Sequence, residues 1–206
     1  MLYTCYNELR KNQREGTEYV ISQTEVLSKI CIFSPHGGGI EPGTSELVRA
    51  AGLQDFSWYL FEGIQTSDNW RLHITSHLFD EPRALAFIRR HRVAVAIHGE
   101  SADNIEATYL GGRNSLAERL VRESLHATGF NVPHKTPRHL LGQEPNNICN
   151  RCATGEGIQL EITSKQRQQF FCGDLNTRPG RKLCTAAFVK YINAIRTALR
   201  AIENAS

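Results

Sequence analysis

An α/β sandwich with a mixed, largely parallel central sheet is the fold that three observations predict. Short apolar runs of strand length recur along the chain, at 30–33, 58–61, 93–97 and 157–163. Segments with helical spacing or helix start and stop signals stand between or after them, at 44–52, 80–88, 115–127 and 184–204. Strands alternating with helices pack as a sheet with helices on its faces, a single-domain three-layer sandwich. At 206 residues the chain is long enough to bury one core and short for two domains of comparable size. Residues 1–206 are therefore expected to form one domain, with 1–28 as a peripheral N-terminal segment and 184–204 as the C-terminal helix.

Each element has its own signal. Within the polar N-terminal segment, Tyr19-Val20-Ile21 suggests a short strand. The run Ile30-Cys31-Ile32-Phe33 reads as a buried strand opening into a glycine loop. Residues 44–52 begin with Thr44 and Ser45, hydroxyls suited to capping, and end at Gly52, which is helix grammar. Trp58-Tyr59-Leu60-Phe61 suits a strand, and 71–75 alternates polar with apolar residues as a half-buried strand does, with Arg71 and His73 on one face. Asp80-Glu81-Pro82 signals a helix start in which Asp80 caps the free amides, and Leu85, Phe87 and Ile88 supply the apolar side. Tyr109 to Asn114 is expected to form a glycine turn into a helix over 115–127, stopped by Gly129. Three prolines between 131 and 147 argue for a long surface connection. Phe188, Ile192, Ile195, Leu199 and Ile202 repeat at helical spacing and should pack on the sheet.

The chemistry gathers at Ser34-Pro35-His36-Gly37-Gly38-Gly39-Ile40-Glu41. An imidazole and a carboxylate separated by four residues, three of them glycine, can turn toward one point, because glycine accepts backbone angles closed to other residues. A catalytic zinc ion takes three protein ligands and keeps a fourth position for water. His36 and Glu41 are two candidates, and His98, at the end of the apolar run 93–97, is the third if both strands share one parallel sheet. A phosphate-binding loop would need a Lys after the glycines, and none follows.

Hydrolysis also requires a group that takes a proton from water and passes it to the leaving amine. Glu161, flanked by Leu160 and Ile162 in a strand, is the candidate general base, since a carboxylate there is unfavourable unless it faces a polar site or an arginine. Arg71 and Arg151 are candidates for stabilising an oxyanion or clamping a substrate carboxylate. Asn150 beside Arg151 and His73 beside Arg71 join them on the substrate side, with His77 a weaker choice.

Composition excludes several classes. Hydrophobic residues at 40% and charged residues at 22% describe a soluble globular chain, without an apolar run long enough to span a bilayer. A net charge of +3 falls short of a nucleic-acid-binding face. The first ten residues lack the apolar core of a secretory signal, so six cysteines are expected as reduced thiols. Cys149-x-x-Cys152 has no second closely spaced pair to complete a zinc ribbon. A monomer is expected, with no nucleic-acid or membrane partner.

The order of motifs then carries a resemblance. The glycine loop with His36 and Glu41, Arg71-Leu72-His73-Ile74-Thr75-Ser76, Ile97-His98-Gly99, Asn150-Arg151-Cys152 and Gln159-Leu160-Glu161-Ile162 resemble the bacteriophage and Bacillus poly-γ-glutamate hydrolase family. That family is similar in fold to zinc carboxypeptidases. The resemblance implies one Zn²⁺ ion on His36, Glu41 and His98, Glu161 as general base, and an acidic polymer, poly-γ-glutamate, as substrate. Carboxypeptidases space their first two ligands H-x-x-E, whereas four residues separate them here, so the loop geometry is not carried over. The resemblance suits a cytoplasmic enzyme or a phage product released by lysis. Two other readings stand beside it: a zinc amidase or carboxypeptidase acting on cell-wall or other peptides, and a non-catalytic protein with a structural metal.

Overall fold

The computed structural model describes residues 2–206. In chain order the elements are α1 (Tyr6–Asn12), β1 (Tyr19–Thr24), β2 (Ile30–Gly38), α2 (Thr44–Gly52), β3 (Ser57–Gly63), α3 (Pro82–Ile88), β4 (Val93–Glu100), β5 (Thr108–Gly112), α4 (Ser115–Ala127), β6 (Ile158–Thr163), α5 (Ser164–Gln168) and α6 (Ala186–Ala205). The strands form one sheet in the order β1-β3-β2-β4-β6-β5. The four central strands run parallel, and β1 and β5 close the edges antiparallel.

Both faces of the central strands are covered, so the strands read as continuous apolar runs. Ile30, Ile32, Val95, Ile97, Leu160 and Ile162 point to one side, where Leu47 and Val48 of α2, Val121 of α4 and Ile195 of α6 complete a core. Cys31, Phe33, Tyr59, Phe61, Ala94 and Ala96 point to the other, under Leu9 of α1, Phe87 of α3, Leu72 and Ile74. The fold is the α/β sandwich that alternation predicted. The chain leaves β2 toward β3 on one side and leaves β4 toward β6 on the other. The adjacent carboxyl ends of β2 and β4 are therefore the point where strand order reverses, where open α/β sheets place their ligands.

Three local expectations are corrected. Residues 71–75 do not form a strand. Asn69–Leu72 is a 3-10 turn, and the alternation arises because Leu72 and Ile74 are buried against the sheet while no ladder forms beside them. The cap of α3 is Glu81, which accepts the Ala84 N–H at 2.7 Å; Asp80 instead accepts from the Tyr6 amide. Thr108–Gly112 is an edge strand rather than a turn, paired with β6 from Ile158 to Ile162. Gly112, at φ +104, ends it, where the chain bends toward the Asn114 cap of α4. The N-terminal segment supplies α1, which had no clear sequence signal, and the edge strand β1.

Candidate metal centre

Strict alternation along β2 would put His36 on the face opposite Phe33, away from His98. A bulge prevents this. Ser34 pairs with Leu60 and Gly37 with Glu62, so β2 carries one extra residue at Pro35-His36. Such an insertion re-aims a side chain, and Pro35 has no N–H to offer the ladder there. The Ser34 hydroxyl points into α2, 3.2 Å from the Thr44 hydroxyl, while the His36 ring lies on the face that carries His98.

The glycine loop then returns Glu41 to the same place. Gly38 has φ +67, and a Cβ on it would stand 2.2 Å from the Gly63 carbonyl oxygen, so only glycine fits. The Glu41 amide donates to the His36 carbonyl at 2.9 Å, and Thr44 Oγ1 donates to the Glu41 carbonyl at 2.9 Å. As a result His36 Nδ1 lies 2.9 Å from Glu41 Oε1 and 3.2 Å from His98 Nδ1, and His98 Nδ1 lies 3.5 Å from Glu41 Oε2. All three residues are buried.

The donor set fits a metal ion. His36 Nε2 lies 2.7 Å from the Ile74 carbonyl oxygen, which can only accept, so the ring proton sits on Nε2. Burial pushes the His36 imidazole down to about 4, so the ring carries one proton at ordinary pH and Nδ1 presents a lone pair. A lone pair facing a carboxylate at 2.9 Å is repulsive unless a cation lies between them. Donors about 2.0–2.1 Å from a tetrahedral ion stand about 3.3–3.4 Å from one another, close to the three spacings seen here. The Nε2–H to carbonyl contact is the outer support usual for a metal-binding histidine.

Around these donors the charges are sorted. Burial disfavours the charge on Glu41; the charge and hydrogen bond of a protonated His36, which a metal ion at Nδ1 would replace, and hydrogen bonds from His73 and His98 hold its carboxyl well below the usual range. Its Oε2 also accepts the Gly99 N–H at 2.8 Å. Burial pulls the His98 imidazole down and the Glu161 and Glu41 carboxylates raise it, the rise prevailing. Glu161 is the register partner of His98 on the adjacent strand and shares its face. Burial, then Glu41 and Glu100, push Glu161 up to about 7 against the opposing pull of His98 and Arg167. Gln159 Nε2 donates to Glu161 Oε1 and to the Leu140 carbonyl, both at 3.0 Å, which fixes the carboxylate.

The remaining candidates fall at different distances from the donors. His73 is brought in: its ring stacks on His36 at 4.0 Å and on Trp70 at 4.3 Å, and its Nε2 is 3.6 Å from Glu41 Oε1. Arg71 donates to Gln65 at 2.7 Å, and its Nε is buried without a hydrogen-bond partner. Asn150 is committed to backbone, donating to the Gly142 and Glu144 carbonyls at 2.8 and 2.9 Å and accepting from the Gly157 amide at 3.1 Å. Arg151 is half-buried in the 3-10 turn beside it, and His77 is exposed. Sequence reasoning missed Gln159 and Arg167. Gln159 was findable, because it lies two residues before Glu161 on the same strand face. A cavity of about 560 Å³ lies against the glycine loop, lined by Gly38, Gly39, Pro42, Asn69, Trp70 and Arg178 among others, and none of the three donors lines it.

Comparison with known proteins gives a consistent result. The family model described as poly-gamma-glutamate hydrolase matches residues 3–194. UPF0714 protein YmaC of Bacillus subtilis (strain 168) is 38% identical over 199 residues, spanning 96% of this chain and 83% of that protein. The solved structure of a bacteriophage poly-gamma-glutamate hydrolase has a TM-score of 0.94 at 37% identity, covering 100% of this chain and 99% of that one. The zinc-free apo structure of YndL has a TM-score of 0.90 at 32% identity, covering 97% of each chain. An N-acetylmuramyl-L-alanine amidase from Mycobacterium smegmatis shares the fold alone, with a TM-score of 0.51 at 14% identity over 86% of this chain and 97% of that one.

Proposed function

The chain belongs to the poly-γ-glutamate hydrolase family, and from that premise we propose that it hydrolyses γ-glutamyl amide bonds of poly-γ-glutamate with one zinc ion held by His36, Glu41 and His98. The observation that carries the proposal is the convergence of these three donors, whose ligating atoms lie within 4.8 Å of one another, with the Glu161 carboxylate beside His98 on the next strand. The zinc-free YndL structure supports zinc as the metal. A bound zinc would polarise the scissile carbonyl and acidify a water molecule.

The chain's own residues supply the rest. Glu161, pushed up to about 7, exchanges a proton near neutral pH. It takes the proton of the attacking water and gives it to the leaving amide nitrogen. Gln159 holds one carboxylate oxygen by its amide and so orients the other. His73, stacked between His36 and Trp70, forms the wall on the substrate side. Arg71 and Arg151 are assigned to the carboxylates or the oxyanion of the substrate, with Asn150 fixing the turn that carries Arg151. No helix among the described residues is long and apolar enough to cross a membrane.

In a γ-linked chain the free carboxylate sits on the α-carbon and the backbone runs through the side-chain methylenes. The distance from scissile carbonyl to nearest carboxylate therefore differs from that in an α-peptide. A site that clamps a carboxylate while the carbonyl is held elsewhere reads this distance, and a misplacement of about 1 Å lowers the rate on the order of a hundredfold. The test is sizing of products from poly-γ-glutamate and from α-linked polyglutamate, with and without a chelator, at two ionic strengths. We expect cleavage of the γ-linked polymer only, lost with chelation and restored by Zn²⁺. Equal rates on both linkages would favour a general zinc peptidase, and full activity under strong chelation would remove the metal.

A further inference from the structure

Arg167, on α5, is buried at 4% exposure. Its Nε–H donates to the Ile162 carbonyl at 2.9 Å, one Nη to the Glu100 carbonyl at 2.9 Å and the other to the Pro42 carbonyl. These carbonyls belong to three segments, and each segment carries one residue of the site. Ile162 follows Glu161, Pro42 follows Glu41, and Glu100 lies two residues beyond His98. One rigid fork of donors thus ties the loop, β4 and β6 together at the carboxyl edge of the sheet.

Gly99 is the socket for this cation. A Cβ there would stand 2.6 Å from the guanidinium carbon of Arg167. The same residue donates its N–H to Glu41 Oε2 at 2.8 Å. The bare α-carbon admits the arginine while the amide holds the ligand carboxylate.

An arginine buried this deeply ordinarily meets a carboxylate. Among the described residues Arg167 forms no ion pair, and its bonds all go to carbonyls. Burial lowers its pKa, and the charges of Glu41, Glu161 and Glu100 act against that. The positive charge therefore lies close enough to be felt by both site carboxylates and leaves their oxygens free.

We propose that Arg167 is the positioning residue of the metal centre, setting Glu41, His98 and Glu161 relative to one another by clamping the backbone beside each and offsetting their charge without occupying their oxygens. The proposal rests on the zinc reading above. It concerns a residue that touches neither metal nor substrate.

The experiment compares Arg167→Met, Arg167→Lys and Gly99→Ala with the parent in the full chain. The readouts are zinc affinity by competition with a chromophoric chelator, the thermal midpoint of the zinc-free protein, and kcat and KM on poly-γ-glutamate at saturating zinc. Supporting groups around a metal site change affinity or activity by about 10–100-fold. Arg167→Met should weaken zinc binding and lower kcat by about tenfold or more, with KM within about twofold. Lysine restores the charge but not the fork, so Arg167→Lys should fall between Met and the parent in both readouts. Gly99→Ala keeps every bonding group and displaces the guanidinium, so it should reproduce the losses in milder form and decides the matter if the Met variant does not fold. Zinc affinity and kcat equal to the parent's in Arg167→Lys and Gly99→Ala, with only the thermal midpoint lowered, would overturn this proposal alone. A parent protein that takes up no zinc would overturn the metal reading and this proposal together.

Discussion

Replacing Glu161 by Gln separates the chemistry of this carboxylate from the energetics of burying it, and the two effects should have opposite signs. Burial and neighbouring carboxylates push Glu161 from the ordinary 4.5 to about 7. At about 1.36 kcal/mol per pH unit that displacement corresponds to about 3 kcal/mol. The folded form holds this proton to higher pH than the unfolded form does. It therefore binds more protons between pH 4.5 and about 7, and stability falls as pH rises through that window. Glutamine has the same shape, can still accept from Gln159, and bears no charge to desolvate.

We expect zinc-free Glu161→Gln to match the zinc-free parent near pH 4.5 and to exceed it well above about pH 7 by about 2–4 kcal/mol. For a chain of this size that is roughly 5–12 °C in thermal midpoint. Thermal unfolding of both proteins across the pH range reads the difference. With zinc restored, turnover of poly-γ-glutamate should drop by about a hundredfold or more, because the base is gone. A variant that turns over at the parent rate would refute the role of Glu161 as base. One no more stable than the parent at alkaline pH would refute the burial argument.

Zinc affinity should fall as pH drops, because the Glu161 and Glu41 carboxylates raise the His98 imidazole above its ordinary 6.5 and the metal must displace that proton. Titration calorimetry in buffers of different ionisation enthalpy should show proton release on binding, and less of it from His98→Ala, which should also bind zinc weakly. Gly38→Ala forces a side chain into φ +67 and against the Gly63 carbonyl. It should lose at least about 1–2 kcal/mol of stability and weaken zinc binding in chelator competition, whereas parent-like affinity would show that the loop does not place Glu41.

Much of this arrangement was legible in the sequence, and the part that was not has physical reasons. Apolar runs broken by helix signals disclosed the sandwich because both faces of the parallel strands are buried, and the two cores follow the alternation of β2 and β4 residue by residue. His36, Glu41 and His98 stood out because few side chains can ligate a metal and all three lie near strand ends. The bulge that brings His36 onto the right face was not legible, since a one-residue register shift leaves little trace in composition. Nor was Arg167: its partners are carbonyls, which every residue has, so no partner pattern marks it. Residues 71–75 misled because a segment lying flat on a sheet buries alternate residues as a strand does.

The roles proposed for the two buried carboxylates rest on how differently they are surrounded. Burial disfavours the charged form of both. Glu41 answers it with the Gly99 N–H on one oxygen and the imidazoles of His36, His73 and His98 around the pair, so it stays ionised well below neutrality, as a metal ligand must. Glu161 receives one neutral side-chain amide and feels Glu41 and Glu100 as like charges, so its proton is exchanged near pH 7, as general acid–base work needs. Exchanging the roles would ask the carboxylate that readily takes a proton to hold a cation and the permanently charged one to accept protons. Two carboxylates whose environments drive them apart in this way suit the proposed division into a ligand and a base. A purely structural metal site would have no use for the second.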